Sequence, residues 1–232
     1  AALAPTELRI SRAADASQAR STALLKRLVA QNSGTFNTAG VTAVANMLRP
    51  EFEALGFQVN FKPMPDSGRA GHLIAIHHGN GKGKRVLLIG HLDTVFEPDN
   101  PFTGFRIEGK RAFGPGVGDD KGGVVVILSA LRALRDAGAL QDADIEVVLT
   151  GDEEEVGMPV ALARADLIAA GKRADAALDF ENISHQNGRE MGAVARRSSN
   201  EWTLTVHGES GHSSGIFSNA MGDGAAFELA RI

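Results

Sequence analysis

Five short stretches hold residue types that could do chemistry, and each follows an apolar run or a glycine-rich turn. His91-Leu92-Asp93-Thr94 comes directly after the apolar run Val86–Ile89 and Gly90. A histidine in that place is more often a hydrogen-bonded structural residue. Asp93, two residues on, changes the balance, because a metal-bound imidazole needs a carboxylate on its other nitrogen to fix tautomer and orientation. Asp119 and Asp120 close the bent loop Gly114-Pro115-Gly116-Val117-Gly118. They read either as acids complementing a helix start or as a carboxylate held rigidly enough to bridge two cations. Its Gly-x-Gly-x-Gly spacing, with no apolar strand leading in, is not a dinucleotide fingerprint.

Asp152-Glu153-Glu154-Glu155 ends the most apolar strand of the sequence, and Glu181 closes the run Ala176–Phe180 in the same way. An average charge run is a solvated loop. Here several acidic loops would share one sheet edge, where they repel one another unless cations sit among them. The fifth stretch, Gly208-Glu209-Ser210-Gly211-His212-Ser213, is not the nucleophile elbow Gly-x-Ser-x-Gly, because His212 takes the last glycine's place.

The elements that must position these groups follow from hydrophobic periodicity. Helical spacing predicts helices over Ala19–Ala30 and Val41–Leu55, the second with a break at Pro50. Short β-rich stretches follow at Gln58–Phe61, Leu73–His77 and Arg85–Ile89. The last two are separated by Gly79-Asn80-Gly81-Lys82-Gly83, which predicts a hairpin of neighbouring strands. Next come a helix over Gly122–Ala137, a buried strand over Asp144–Thr150, a helix over Pro159–Ala170 and a strand over Ala174–Phe180. This β-α-β alternation predicts an α/β fold with a mostly parallel sheet between helical layers and ligands at the carboxyl ends of its strands. From Gly192 the pattern changes to an alternating strand over Trp202–Val206, a Gly/Ser/His loop and a helix from Asn219. The expected division is a metal-binding domain over residues 1–194 and the beginning of a second domain over 195–232.

Composition narrows the chemistry. The 232 residues are 43% hydrophobic, enough for one good core. With a net charge of −4 and no basic cluster, nucleic acid is not expected as a partner. No apolar run approaches the roughly 20 residues of a membrane-spanning helix, and no membrane partner is expected. The absence of cysteine leaves imidazole and carboxylate as the only ligands for a transition metal. That set suits zinc, with cobalt or manganese as alternatives, and its excess negative charge suits a pair of ions. The opening Ala-Ala-Leu-Ala-Pro without Met is what signal-peptide removal or a cloning boundary leaves, and it points towards export.

His-Leu-Asp-Thr-Val, Gly-x-Gly-x-x-Asp-x-Lys-Gly, Asp-Glu-Glu and a later Phe-Glu, in this order, resemble the motif series of the M20 metallopeptidases, within them the glutamate carboxypeptidase, aminoacylase and succinyl-diaminopimelate desuccinylase group. The resemblance covers about residues 15–232. It implies two zinc ions: His91 and Glu181 on one, Asp119 bridging both, and Glu154 on the other. It also implies Asp93 as the residue that orients His91, Glu153 as general base, and a cis peptide between Asp119 and Asp120. The implied reaction is hydrolysis of an amide bond of a small peptide or N-acyl amino acid by a water activated between the ions. By the same resemblance His212 binds the substrate carbonyl from a lid domain that also makes a homodimer.

Three alternatives stand beside this reading. The family usually has Asp-Glu-Glu-x-Gly, so alignment on Gly157 would move base and ligand to Glu154 and Glu155. The strand end favours Glu153 and Glu154. A non-catalytic scaffold would keep the fold and lose acids, and none of the expected acids is lost. A single-ion amidohydrolase is the third. Members of the family are longer, so the expectation is a fragment or a truncated product, without the returning segment and last His ligand. Peptides, N-acyl amino acids and folate-like glutamates all remain open as substrates.

Overall fold

The structure, a computed structural model, describes residues 3–195 and 202–232. Its backbone falls into two compact units, one running to Met191 and the other Gly192–Ile232.

The first unit opens with α1 (Pro5–Ala16), which begins with a proline at a position whose N–H would be unpaired in any case. It buries no residue of its own, and this leaves no apolar stripe in the sequence to announce it. Helices α2 (Gln18–Ala30) and α3 (Thr38–Glu53) follow. The break expected at Pro50 does not occur. Proline removes one hydrogen bond near the end of the helix, and the fully buried Leu48 and Phe52 hold the last turn in place.

Five strands make the main sheet: β1 (Gln58–Met64), β2 (Arg69–His77), β3 (Arg85–His91), β6 (Asp144–Thr150) and β7 (Ala176–Asp179), in the order β1-β2-β6-β3-β7. β1 pairs antiparallel with β2, β2 antiparallel with β6, and β3 parallel with both β6 and β7. Four of the five strands therefore point one way and β2 alone runs back, so the sheet is mostly parallel, as expected.

The predicted β2–β3 hairpin is overturned, since β6 lies between the two strands. The run Ile145–Leu149 is buried on both faces and demands a central place, which it takes by returning through α4 (Lys121–Asp136). The glycine-rich segment thus arches over the end of β6, where Gly79 N–H donates to Asp144 Oδ1 at 3.0 Å.

Alternate side chains of the sheet enter two cores. Leu88, Val147 and Leu149 pack with Leu28, Leu48 and Leu128 from α2, α3 and α4. Leu87 and Val148 pack on the other face against Ala170. The single helix expected over Pro159–Ala170 is two pieces, α5 (Val160–Ala163) and α6 (Ala165–Arg173). Two small hairpins complete the unit, β4 (Arg106–Glu108) with β5 (Arg111–Phe113) and β8 (Ser184–Gln186) with β9 (Arg189–Met191).

In the second unit the strand expected over Trp202–Val206 is not formed. Among the described residues these pair with no strand, and alternation alone does not make a strand without a neighbour to complete its ladder. The helix expected from Asn219 is confined to α7 (Ala225–Arg231), because Ser218–Gly222 closes a tight turn first.

Candidate metal centre

Because β3, β6 and β7 are parallel, their carboxyl ends lie at one edge, and each delivers a chemical group there. His91 ends β3 opposite Thr150 of β6, and Phe180 N–H donates to Ile89 O at 3.0 Å, which sets Glu181 just beyond the same edge. The loop Gly114–Asp120 brings Asp119 in from the start of α4. The Asp119–Asp120 peptide is cis, as the resemblance implies, and so is Met158–Pro159.

His91 is buried, and its two ring nitrogens face different partners. Nδ1 lies 3.1 Å from Asp93 O and 3.2 Å from Asp93 Oδ1. Both are acceptors only, so Nδ1 carries the proton. Nε2 faces Asp119 Oδ1 at 2.7 Å and Glu181 Oε1 at 3.5 Å. Burial opposes a charge on this ring. Hydrogen bonds to Asp93 and Glu181, with the charges of Asp93 and Asp120, outweigh it and push its pKa up to about 12. When the charged ring loses its Nε2 proton, the lone pair there points between two carboxylates.

Asp93 is fully buried and receives four donors: His91 Nδ1 and Glu153 N–H on Oδ1, Thr35 Oγ1 and Glu154 N–H on Oδ2. Burial raises its pKa, but these bonds, that from His91 first, hold it below the usual carboxylate value. Asp120 accepts the His91 backbone N–H on Oδ2 at 3.1 Å, while its buried Oδ1 has no partner, and burial pushes its pKa up to about 8. Burial, then repulsion from Asp119, raises Glu154 to about 7.

The ligand atoms of His91, Asp119 and Glu181 all lie within 4.8 Å of one another, and so do those of His91, Glu153 and Glu154. A zinc ion with ligand bonds of about 2.0–2.2 Å spans ligand atoms up to about 4.4 Å apart. Either group can close on an ion by small side-chain movements, and the oxygen and imidazole set fits zinc, cobalt or manganese. Glu155 belongs to neither group. It is exposed, and its carbonyl accepts from Arg69 Nε at 2.6 Å. Asp152 is also outside: Arg164 Nη1 donates to its Oδ1 at 2.6 Å and Gly157 N–H to its Oδ2 at 2.8 Å. One of the four consecutive acids is thus neutralised by a guanidinium and needs no metal. A cavity of about 170 Å³ lined by His77, Arg85, Asp144, Glu146 and Arg173 among others lies at the opposite edge, at the amino ends of β3 and β6.

His212 belongs to the second unit, where it is exposed and its Nδ1 accepts the Ser214 N–H at 3.2 Å. Thr35 and Arg164 were not foreseen from sequence. Thr35 is 58 residues from the Asp93 it bonds, in a loop with no local pattern, and only a fold could reveal it. Arg164 had only a weak signal, as the first cation after the run of acids.

A family model described as Peptidase family M20/M25/M40 matches residues 87–215, more than half of the chain. The carboxypeptidase G2 of Pseudomonas sp. (strain RS-16) is 36% identical over 162 residues, 69% of this chain and 38% of that protein. The succinyl-diaminopimelate desuccinylase of Leptothrix cholodnii is 30% identical over 198 residues, 82% of this chain and 50% of that one. The chain thus spans half or less of the length of these relatives. Among solved structures, human carnosine dipeptidase 1 shares the fold, with a TM-score of 0.62 at 18% identity, covering 76% of this chain and 41% of that chain. The family match runs from β3 through every acid gathered around His91, and on that ground the chain belongs to peptidase family M20/M25/M40.

Proposed function

We propose that this chain carries most of the metal centre of a hydrolase that cleaves the amide bond of a small peptide or N-acyl amino acid with two zinc ions. The observation that carries the proposal is the convergence of Asp119, Glu181, Glu153 and Glu154 on His91. His91 and Glu181 would hold one ion, Glu154 the other, and Asp119 both. Bound zinc would supply Lewis acidity, acidifying a water and polarising the scissile carbonyl.

The protein's own groups do the rest. Asp93 keeps the Nδ1 proton on His91 and so aims Nε2. Glu153 is assigned as general base, taking a proton from water and returning it to the leaving amine. Partial burial and the charges of Glu181, Asp93 and Asp119 raise its pKa, which favours both halves of that task. The second unit is read, on family resemblance, as the start of a lid and dimerisation domain with His212 directed to the substrate carbonyl.

The test is a pair of variants in the full-length enzyme, scored for zinc content and for turnover of a panel of dipeptides and N-acyl amino acids. Glu153→Ala should lower turnover by about 10²–10⁴-fold with zinc retained, whereas Glu154→Ala should lose zinc as well. Zinc lost from Glu155→Ala and retained in Glu153→Ala and Glu154→Ala would move base and ligand one residue on. A wild type that binds no zinc would remove the proposal.

A further inference from the structure

We propose that Thr35 is a positioning residue of the metal centre, acting through Asp93 to hold His91, Glu153 and Glu154 in one arrangement. The proposal rests on the metal-centre reading above and adds to it a residue outside the cluster of acids.

The Asp93 carboxylate has its acceptor positions divided evenly. Oδ1 takes His91 Nδ1 at 3.2 Å and Glu153 N–H at 3.0 Å, and Oδ2 takes Thr35 Oγ1 at 2.7 Å and Glu154 N–H at 3.1 Å. One carboxylate therefore sets the imidazole that faces Asp119 and the backbone of both acids that follow β6. Of its four donors, Thr35 makes the shortest bond, a charge-assisted O–H to carboxylate contact. It is also the only donor contributed from outside the sheet edge. Without it Oδ2 keeps a single backbone donor and the carboxylate is freer to turn about its Cβ–Cγ bond, which moves the partners of both oxygens.

Thr35 ends a short segment, Gln31–Thr35, that is tied at several points. Its N–H donates to Thr94 O at 3.2 Å, and Thr94 N–H donates to Ser33 O at 2.9 Å, so residues 33–35 run alongside the segment after His91 as a parallel bridge. Asn32 Nδ2 donates to Phe96 O at 2.9 Å. At the other end Lys121 Nζ donates to Gln31 O at 2.7 Å. Lys121 is buried and begins α4 directly after Asp119 and Asp120. The segment Gln31–Thr35 is thus tied to two of the loops that deliver metal-facing groups, and Gly34 has no room for a side chain because a Cβ would strike Glu97. A hydroxyl fixed this firmly, donating to a buried anion, acts as a stop on the rotation of Asp93.

The hydroxyl is the tested element, so the full-length enzyme is compared as wild type, Thr35→Val and Thr35→Ser. Zinc affinity is read by competition with a chromophoric chelator, and turnover by kcat and KM. Thr35→Val should bind zinc roughly 10–100-fold more weakly and lose kcat with KM little changed, while Thr35→Ser stays near wild type. In an Asp93→Asn background the same Val substitution should add little, because it acts through Asp93. If Thr35→Val cannot be purified folded, Thr35→Ser against Thr35→Ala carries the comparison. Wild-type zinc affinity in the hydroxyl-free variant overturns the proposal. So does a Ser variant as weak as Val, or failure of both hydroxyl-free variants to fold while Ser folds. A wild type without zinc or turnover would instead remove the functional reading itself.

Discussion

At the residue scale three groups of the metal-free centre, His91, Asp120 and Glu154, are displaced towards holding their protons. Burial pushes Asp120 from 3.8 up to about 8, and burial with the charge of Asp119 pushes Glu154 from 4.5 up to about 7. His91 rises from 6.5 to about 12. Between the ordinary and the raised values the folded protein holds protons that the unfolded chain has released, so stability falls as pH climbs through that window. Asp93, lowered, exerts its effect below 3.8, and Lys121, lowered by burial to about 8, exerts its own above that value. The thermal midpoint of the zinc-free protein should therefore fall from about pH 5 to about pH 8. On the proposed ligand set zinc would have to displace protons from His91 and Glu154, so its affinity should rise over the same range, and the gap between loaded and zinc-free midpoints should widen. Differential scanning calorimetry at several pH values checks this, and a zinc-free midpoint that rises over the window would contradict it.

At the scale of elements, the sheet edge works because neighbouring loops are fixed by buried polar ties. Asp152 and Arg164 pin the turn after β6 to the α5–α6 corner, with Asp152 fully buried and the Arg164 side chain 17% exposed. Arg164→Ala leaves an uncompensated buried carboxylate, which costs about 3 kcal/mol, the low end of the range for such a break. For a protein of this size that is a fall of roughly 6–12 °C in thermal midpoint. An unchanged midpoint would show the tie to be dispensable.

The same scale explains what the sequence could reveal. The strand ends at His91 and Thr150, and that of β7 just before Glu181, were legible because apolar runs give way to polar groups there, and α4 because its spacing is strongly helical. The insertion of β6 between β2 and β3 was not legible, since pairing order depends on which strand is apolar on both faces and on how long each connection is. Helix α1 carries no buried residue, and Asp152 reads like its neighbours until Arg164 is seen beside it. Thr35 required the fold itself.

For the whole molecule, the family match and the acids gathered around His91 support one proposal, that this edge holds metal. The chain spans 38% and 50% of two related enzymes, so substrate choice and turnover belong to experiments on full-length protein. The most direct measurement is anomalous diffraction at the zinc edge from crystals of that protein grown with zinc. One peak should lie about 2.0–2.2 Å from His91 Nε2 and from carboxylate oxygens of Asp119 and Glu181. A second should lie about 3.5–4 Å away, against Asp119 and Glu154. Zinc bound only at other residues, with no peak in bonding range of His91 Nε2, would contradict a metal centre at this edge.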